Sequence, residues 1–186
     1  MTTMQPIQST DNDVLSYDNL FNKVVLTRKI GISMAELSSN TEAKFREMME
    51  NKLKLDYEGL CLKEGYVKYD SIALLTYSLG IMNGDRFEYS VVFECNVCSP
   101  TIGMKVNCLV KNITKAGIRC IVADLPTTAS RRIAKTPLVL FVARDHYYNN
   151  DRFNTIKEDD IITVDVVGTR YELNDEYIVV FGDLVE

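Results

Sequence analysis

Apolar and polar residues alternate near the middle of the chain in a way that predicts two paired strands. Val106, Cys108 and Val110 are apolar at every second position, and the alternation then slips by one residue. A period of two is typical of a strand with one buried face, and the slip indicates a β-bulge. Gly117 supplies a turn, and the alternation resumes at Ile118, Cys120 and Val122. We therefore predict a hairpin that ends near Val122.

Further apolar runs in the second half complete the pattern of a small β-barrel. Residues 138–142 form a short continuous apolar run, and residues 161–172 and 176–185 have strand patterns. Residues 143–150 are typical of a turn or a single helical turn, and residues 124–136 of a polar, basic loop. Five strands with a short helix after the third are the layout of an OB-type barrel.

The first half of the chain has a mixed pattern. Residues 23–30 predict a strand, and Ser39 to Glu42 fits a capping box. Apolar residues then recur at helical spacing from Phe45 onward, which predicts a helix to Leu55 with one face packed in the core. Strands are predicted over residues 57–63, 66–79 and 86–97, where glycines separate the runs. The expected unit is α+β, with one helix on an antiparallel sheet.

A domain boundary is predicted at Ser99-Pro100-Thr101, because a proline cannot donate to a strand ladder. We expect a flexible polar arm over residues 1–22, an α+β domain over residues 23–100 and an all-β barrel over residues 101–186. The arm contains no apolar run long enough for an export signal or a membrane span. No membrane contact is expected, and the five cysteines are expected to be reduced thiols.

Charge is strongly segregated along the 186 residues, although the net charge is only −5. Residues 101–157 carry 10 Lys and Arg against 3 Asp and Glu, whereas residues 158–186 carry 1 and 9. A basic block inside an acidic protein indicates a local anionic partner. The alternative is that the basic strands simply pair with the acidic final hairpin.

The basic block also contains aromatic side chains, which favours contact with single-stranded RNA. Such contact needs cations for the phosphates and flat rings for the bases. The candidate RNA-binding residues are Lys105, Lys111, Lys115, Arg119, Phe141, Arg144, His146, Tyr147 and Tyr148. The alternative is that Phe141 lies in the core and that Tyr147 and Tyr148 pack against the other domain.

The cysteines and acidic residues do not predict a catalytic or metal site. Cys95 and Cys98 have the spacing of a zinc pair, but the sequence offers no second pair, and His146 stands alone. Asp159 and Asp160 are adjacent acids in a loop, where carboxylates are usually solvated. We expect no catalytic residue, no metal and no cofactor, and we expect the thiols to be structural.

Several short motifs, taken in order, resemble the stalk subunit of multisubunit RNA polymerases, namely subunit seven of RNA polymerase II and its archaeal counterpart. In the first half these are Glu58-Gly59, Gly65-Tyr66-Val67 and the run from Gly84 to Phe93. In the second half they are Gly103 to Val106, Ala116-Gly117, Pro137 to Val142 and Val166 to Arg170. The resemblance covers residues 23–186.

The resemblance implies a non-catalytic polymerase subunit with two parts. Its N-terminal tip domain would dock on the polymerase core near the base of the clamp, with Gly59, Gly65 and Tyr66 as the docking candidates. Its barrel would be an OB domain of the S-one type beside the path of the nascent RNA. The family usually pairs with a second stalk subunit of the subunit-four type, which is therefore an expected partner.

The sequence departs from the family in three places. About 20 polar residues precede the first strand, Cys95 to Ser99 replaces a segment with Pro and Gly, and the second barrel strand lacks the family's aromatic residue. These departures fit a homologue encoded by a large DNA virus. The expected location is the nucleus for a cellular protein and a cytoplasmic viral factory or the virion for a viral one.

A free OB-fold RNA-binding adaptor of translation or RNA decay is the alternative function. It predicts that residues 101–186 alone bind RNA as well as the full chain does.

Overall fold

The structure is a computed structural model that describes residues 14, 15, 17–37, 42–123, 136–147 and 151–185. The first unit contains a 3-10 helix (Tyr17–Leu20), β1 (Phe21–Ser33), α1 (Met34–Leu37), α2 (Glu42–Tyr57), β2 (Cys61–Leu62), β3 (Gly65–Val67), β4 (Ala73–Tyr77), β5 (Ile81–Asn83) and β6 (Arg86–Cys98). The second unit contains β7 (Lys105–Ile113), β8 (Gly117–Val122), β9 (Leu138–Ala143), a 3-10 helix (Arg144–Tyr147), α3 (Asp151–Thr155), β10 (Ile161–Arg170) and β11 (Ile178–Leu184).

The first unit is built on two long antiparallel strands. β1 and β6 pair over their full length, from Phe21 opposite Cys98 to Ser33 opposite Arg86. The sheet order is β1-β6-β3-β2, and β4 and β5 also pair with β6. Met49 and Leu53 of α2 are fully buried in a core shared with the sheet. The helix is the one whose apolar spacing is visible in the sequence.

The sequence-predicted strand over residues 57–63 is wrong at its start, because α2 continues to Tyr57. The helix is ended by Gly59, which has a left-handed φ of 75° and suits the position after a helix C-terminus. The predicted strand over residues 66–79 is in fact two strands, since Asp70 has a φ of 53° and turns the chain between β3 and β4.

The second unit is a closed five-stranded barrel with the order β10-β11-β9-β8-β7. β11 and β9 are parallel and the other pairs are antiparallel. The predicted bulge in the first barrel strand is confirmed by a register shift between Val110 and Asn112. The mixed barrel is consistent with the predicted OB type, and its strands occur in the predicted order.

The segment before β1 is packed between the two units. Tyr17 and Leu20 are 6% and 2% exposed, and they lie in one core with Cys61, Tyr66 and the inward side chains of the barrel. Tyr17 and Leu20 of the predicted flexible arm are therefore buried, whereas Val14, Asn19 and Asn22 are exposed. Lys68 covers this segment, with its ammonium 5.2 Å from the ring centre of Tyr17.

A second connection joins the sheet to the final hairpin of the barrel. The amide of Cys61 donates to the carbonyl of Asp175 at 2.8 Å, and the amide of Asn174 donates back to Cys61 at 2.9 Å. The β10–β11 turn thereby extends the hydrogen bonding of β2. The domain boundary predicted at Pro100 stays a prediction, because the two units share a core. No helix in the described ranges is long and apolar enough to cross a bilayer.

Candidate nucleic-acid interface

A row of outward-facing side chains crosses the barrel at one level. Arg119 on β8 lies opposite Phe141 on β9, and Phe141 lies opposite Phe181 on the parallel strand β11. Their chain neighbours point into the barrel and are buried, so these three side chains share the outer face. Arg119 is exposed, Phe141 is half-buried and Phe181 is 46% exposed. One cation and two rings therefore lie on adjacent strands.

Sequence reasoning named Arg119 and Phe141 but missed Phe181. Successive residues of a strand point to opposite faces, so Phe181 points outward while its neighbours Val180 and Gly182 are buried. That signal was present in the sequence. The parallel pairing that puts Phe181 beside Phe141 was not, because it joins strands that are far apart in the chain.

Gly117 lets β8 and β9 approach closely at the end of their ladder, two residues before Arg119. A Cβ atom at Gly117 would overlap the carbonyl oxygen of Val142 and lie 2.9 Å from the tip of the Phe141 ring. The ring of Phe141 thus lies partly over the glycine, which explains its half-buried state.

Lys115 and Arg144 form a second cationic group at the β7–β8 turn. They line a small open cleft together with Ile113 and Thr114. The guanidinium carbon of Arg144 lies 5.0 Å from the ring centre of Phe153 on α3. One Nη atom of Arg144 donates to the carbonyl of Thr114 at 3.3 Å.

His146 and Tyr147 are held by contacts within the chain. The Nδ1 atom of His146 lies 3.1 Å from a carboxylate oxygen of Asp183. The hydroxyl of Tyr147 accepts a hydrogen bond from the amide of Leu184 at 2.6 Å, and its ring stacks on Phe153 at 5.4 Å. Burial is the main reason that the pKa of Tyr147 is raised. The structure therefore gives Tyr147 a packing role, and its predicted RNA contact stays a prediction.

Lys111 is the bulged residue of β7 between the pairs Val110–Cys120 and Asn112–Arg119, so it lies beside Arg119, whereas Lys105 lies at the start of β7. The carbonyl of Lys105 accepts from the amide of Leu15, and its side chain is half-buried. The ammonium of Lys111 lies 3.4 Å from Asp159 in the loop before β10. Tyr148 lies outside the described residues, as do the basic positions Arg131, Arg132 and Lys135 of the predicted loop.

The alternative that the basic strands pair with the acidic hairpin applies to few of the cations. Lys111 pairs with Asp159, which lies in the loop before β10 and so before the final hairpin. His146 contacts Asp183 of β11. Among the residues that the structure describes, no carboxylate lies within ion-pair distance of Lys115, Arg119 or Arg144. The acidic hairpin therefore does not neutralise these three cations within the described part of the chain.

The docking candidates of the first unit face the inside of the molecule. Tyr66 is 2% exposed, and Gly59 and Gly65 are buried. The ring of Tyr69 covers Gly59, and the backbone of Cys98 covers Gly65. The side chain of Tyr66 is therefore not exposed to a partner, because it packs against the chain's own barrel. Docking through the backbone of these residues stays a prediction.

Exposed apolar side chains of the first unit gather instead at β5 and the turn before it. Leu79, Ile81 and Met82 are 91%, 71% and 60% exposed. Within the described part of the chain, β5 has β6 as its strand partner and leaves its other edge open. Large exposed apolar groups of this kind mark protein contacts.

The thiols are buried in two separate cores. Cys95 lies in the core between α2 and the sheet, and Cys98 lies in the core shared with the barrel. They are separated in this way because residues three apart on a strand point to opposite faces. Burial raises the pKa of Cys95 to about 11 and that of Cys98 to about 12. Across the described ranges, no cluster of side chains has the composition of a metal site.

Comparison with known proteins supports the polymerase part of the resemblance. No protein-family model matches the chain. The chain is 25% identical over 181 residues to a protein of Acanthamoeba polyphaga mimivirus named "Putative DNA-directed RNA polymerase subunit L376". The alignment covers 92% of this chain and 85% of that protein, so the similarity extends over both units.

Proposed function

We propose that the chain is a non-catalytic stalk subunit of a DNA-directed RNA polymerase, which docks on the polymerase core through its first unit and contacts nascent RNA through its barrel. The observation that carries the proposal is the similarity to the mimivirus protein over 92% of the chain. The polymerase in this proposal is that of a large DNA virus. The protein would then be located in the viral factory or in the virion.

The barrel supports the RNA half of the proposal. Arg119, Phe141 and Phe181 combine a cation with two rings on one outer face. Rings stack on bases without a strong sequence preference, and cations hold the phosphates. A subunit tethered beside the transcript needs only weak affinity of this kind, because tethering raises the effective concentration of RNA.

The edge of the sheet supports the docking half. Ile81 and Met82 lie on an open edge strand, where both apolar side chains and backbone groups are available to a partner. We assign the contact with the polymerase core to this edge. A second stalk subunit of the subunit-four type would be a further partner of the same assembly.

Affinity purification tests the proposal. The tagged full chain, expressed in cells that contain its polymerase, is expected to recover the large polymerase subunits. The double variant Ile81→Ser and Met82→Ser is expected to lose them. Ile161→Ser, which changes an apolar side chain of the barrel that is 66% exposed, is the matched control and keeps them. Recovery of translation or RNA-decay factors without polymerase subunits would contradict the proposal and favour the adaptor.

A further inference from the structure

We propose that Lys115 and Arg144 form an anion site that takes a phosphodiester group of single-stranded RNA, an inference that rests on the RNA contact in the proposed function. The two side chains line one cleft at the β7–β8 turn. A guanidinium and an ammonium that face a common space are suited to the charge and the several acceptor oxygens of a phosphate.

Arg144 is held in place before any ligand arrives. Its amide donates to the carbonyl of Ala116 at 3.0 Å, which joins the 3-10 helix to the β7–β8 turn. Its guanidinium stacks on Phe153, which is itself 3% exposed and stacked on Tyr147. A fixed guanidinium loses little side-chain entropy on binding, which strengthens each hydrogen bond to an anion.

The donors of Arg144 exceed the partners that the chain supplies. A guanidinium has five N–H donors, and one Nη atom donates to Thr114. The Nε atom is buried without a partner among the described residues. The buried Nε is out of reach of an external ligand, so the site depends on the Nη donors that have no acceptor among the described residues.

The turn that carries Lys115 is also fixed. The amide of Thr114 donates to the carbonyl of Gly117 at 2.9 Å, and the amide of Gly117 donates to the Thr114 hydroxyl at 3.3 Å. Lys115 is exposed at the tip of this closed turn. The fixed turn holds the backbone of Lys115 at the cleft, and its long, flexible side chain can adjust to the ligand.

The cleft lies next to the row of Arg119, Phe141 and Phe181. Arg144 follows Ala143, which lies opposite Gly117 at the end of the β8–β9 ladder. Arg144 is three positions after Phe141, just beyond the end of β9, which corresponds to a rise of roughly 10 Å along a strand. A strand of RNA can thus place a base on the rings and a phosphate in the cleft, and the phosphate contact carries no sequence preference.

Salt dependence of RNA binding tests the site. A labelled oligouridylate of about 12 nucleotides, within the site size of an OB fold, is titrated with the full chain by fluorescence anisotropy. The double variant Lys115→Ala and Arg144→Gln is expected to lower the slope of log affinity against log salt by about 0.7, the contribution of one phosphate on a single strand. Lys157→Ala, which removes an exposed lysine of the same barrel, is the control and leaves the slope unchanged.

Two further measurements separate the possible failures. Inorganic polyphosphate is expected to compete with RNA on the native chain and to compete less on the double variant, since it carries phosphates without bases. An unchanged slope in a folded double variant, as judged by circular dichroism, would overturn the site. Binding of polyphosphate without binding of RNA would overturn RNA as its ligand. Recovery of the polymerase subunits does not depend on this cleft, so that experiment tests the proposed function separately.

Discussion

The backbone amide of Leu15 donates a hydrogen bond to the carbonyl of Lys105 at 2.8 Å, and the amide of Asn107 donates back to the carbonyl of Leu15 at 3.2 Å. The pairing of β8 with β7 ends at Val122, which lies opposite Cys108. Beyond that point Leu15 pairs with β7 instead, opposite Val106. The chain then continues through the buried Tyr17 and Leu20 into β1. The segment before the first strand thus ties the barrel to the sheet.

Leu20→Ala is expected to destabilise the full chain. The side chain is 2% exposed in the shared core, and replacing a buried leucine by alanine costs about 2 to 5 kcal/mol. Urea unfolding followed by circular dichroism measures the change. Asn19→Ala, an exposed neighbour, is the control and is expected to change the stability by less than about 0.5 kcal/mol. Equal stability of the two variants would show that the segment does not join the units.

Gly59→Ala is expected to cost more stability than Gly84→Ala. Both glycines have left-handed φ angles, 75° and 64°. An alanine in this conformation destabilises the folded state by about 1 to 2 kcal/mol, and this cost applies to both variants. A Cβ atom at Gly59 would also overlap the ring of Tyr69, whereas nothing lies within 4 Å of one at Gly84. Thermal unfolding of the two variants measures the difference. A Gly59 variant as stable as the Gly84 variant would show that Tyr69 moves aside freely.

Glu50→Gln is expected to make stability less dependent on acid pH. The hydrogen bond from Lys54 and, more weakly, that from the amide of Leu74 hold the pKa of Glu50 below its usual range, although burial opposes them. The folded-state pKa is below the unfolded value of about 4.3, so this stabilisation is present above that value. It is lost as pH falls through the lower folded-state pKa.

Unfolding in urea at neutral pH and at several pH values below about 4 measures this effect. The native chain is expected to be more stable than Glu50→Gln at neutral pH, and the gap is expected to narrow as the carboxylate is protonated. Glu47→Gln, on an exposed position of the same helix, is the control. A gap that stays constant down to the lowest pH would mean that the charge of Glu50 is not what links α2 to β4.

Phe181→Ala is expected to weaken RNA binding without changing its salt dependence. A ring that stacks on a base contributes about 1 to 3 kcal/mol, which corresponds to roughly 5-fold to 150-fold in affinity. The ring carries no charge, so the number of counterions released stays the same. Anisotropy titrations with oligouridylate measure both quantities, and Ile161→Ala serves as the control. A variant with native affinity would remove Phe181 from the RNA-binding face.

Local patterns were sufficient for the barrel strands and for α2. The alternation around Val110 predicted both a strand and its bulge, because a period of two with one slip has few other structural solutions. The apolar spacing from Phe45 predicted the helix that buries Met49 and Leu53. Its C-terminal end was missed, since the apolar residues after Asp56 look like a strand until Gly59 is known to have a positive φ.

The sequence by itself determined the order of the barrel strands, their inward and outward faces and the cationic character of strands β7 and β8. These features depend only on the spacing of neighbouring residues, because successive side chains of a strand point to opposite faces of the sheet. The tertiary structure decided which of the candidates meet. It brought Phe181 beside Phe141 and Lys115 beside Arg144, turned Tyr66 inward against the barrel, and buried Tyr17 and Leu20. Each of these outcomes depends on contacts between residues far apart in the chain, and spacing along the sequence carries no record of them.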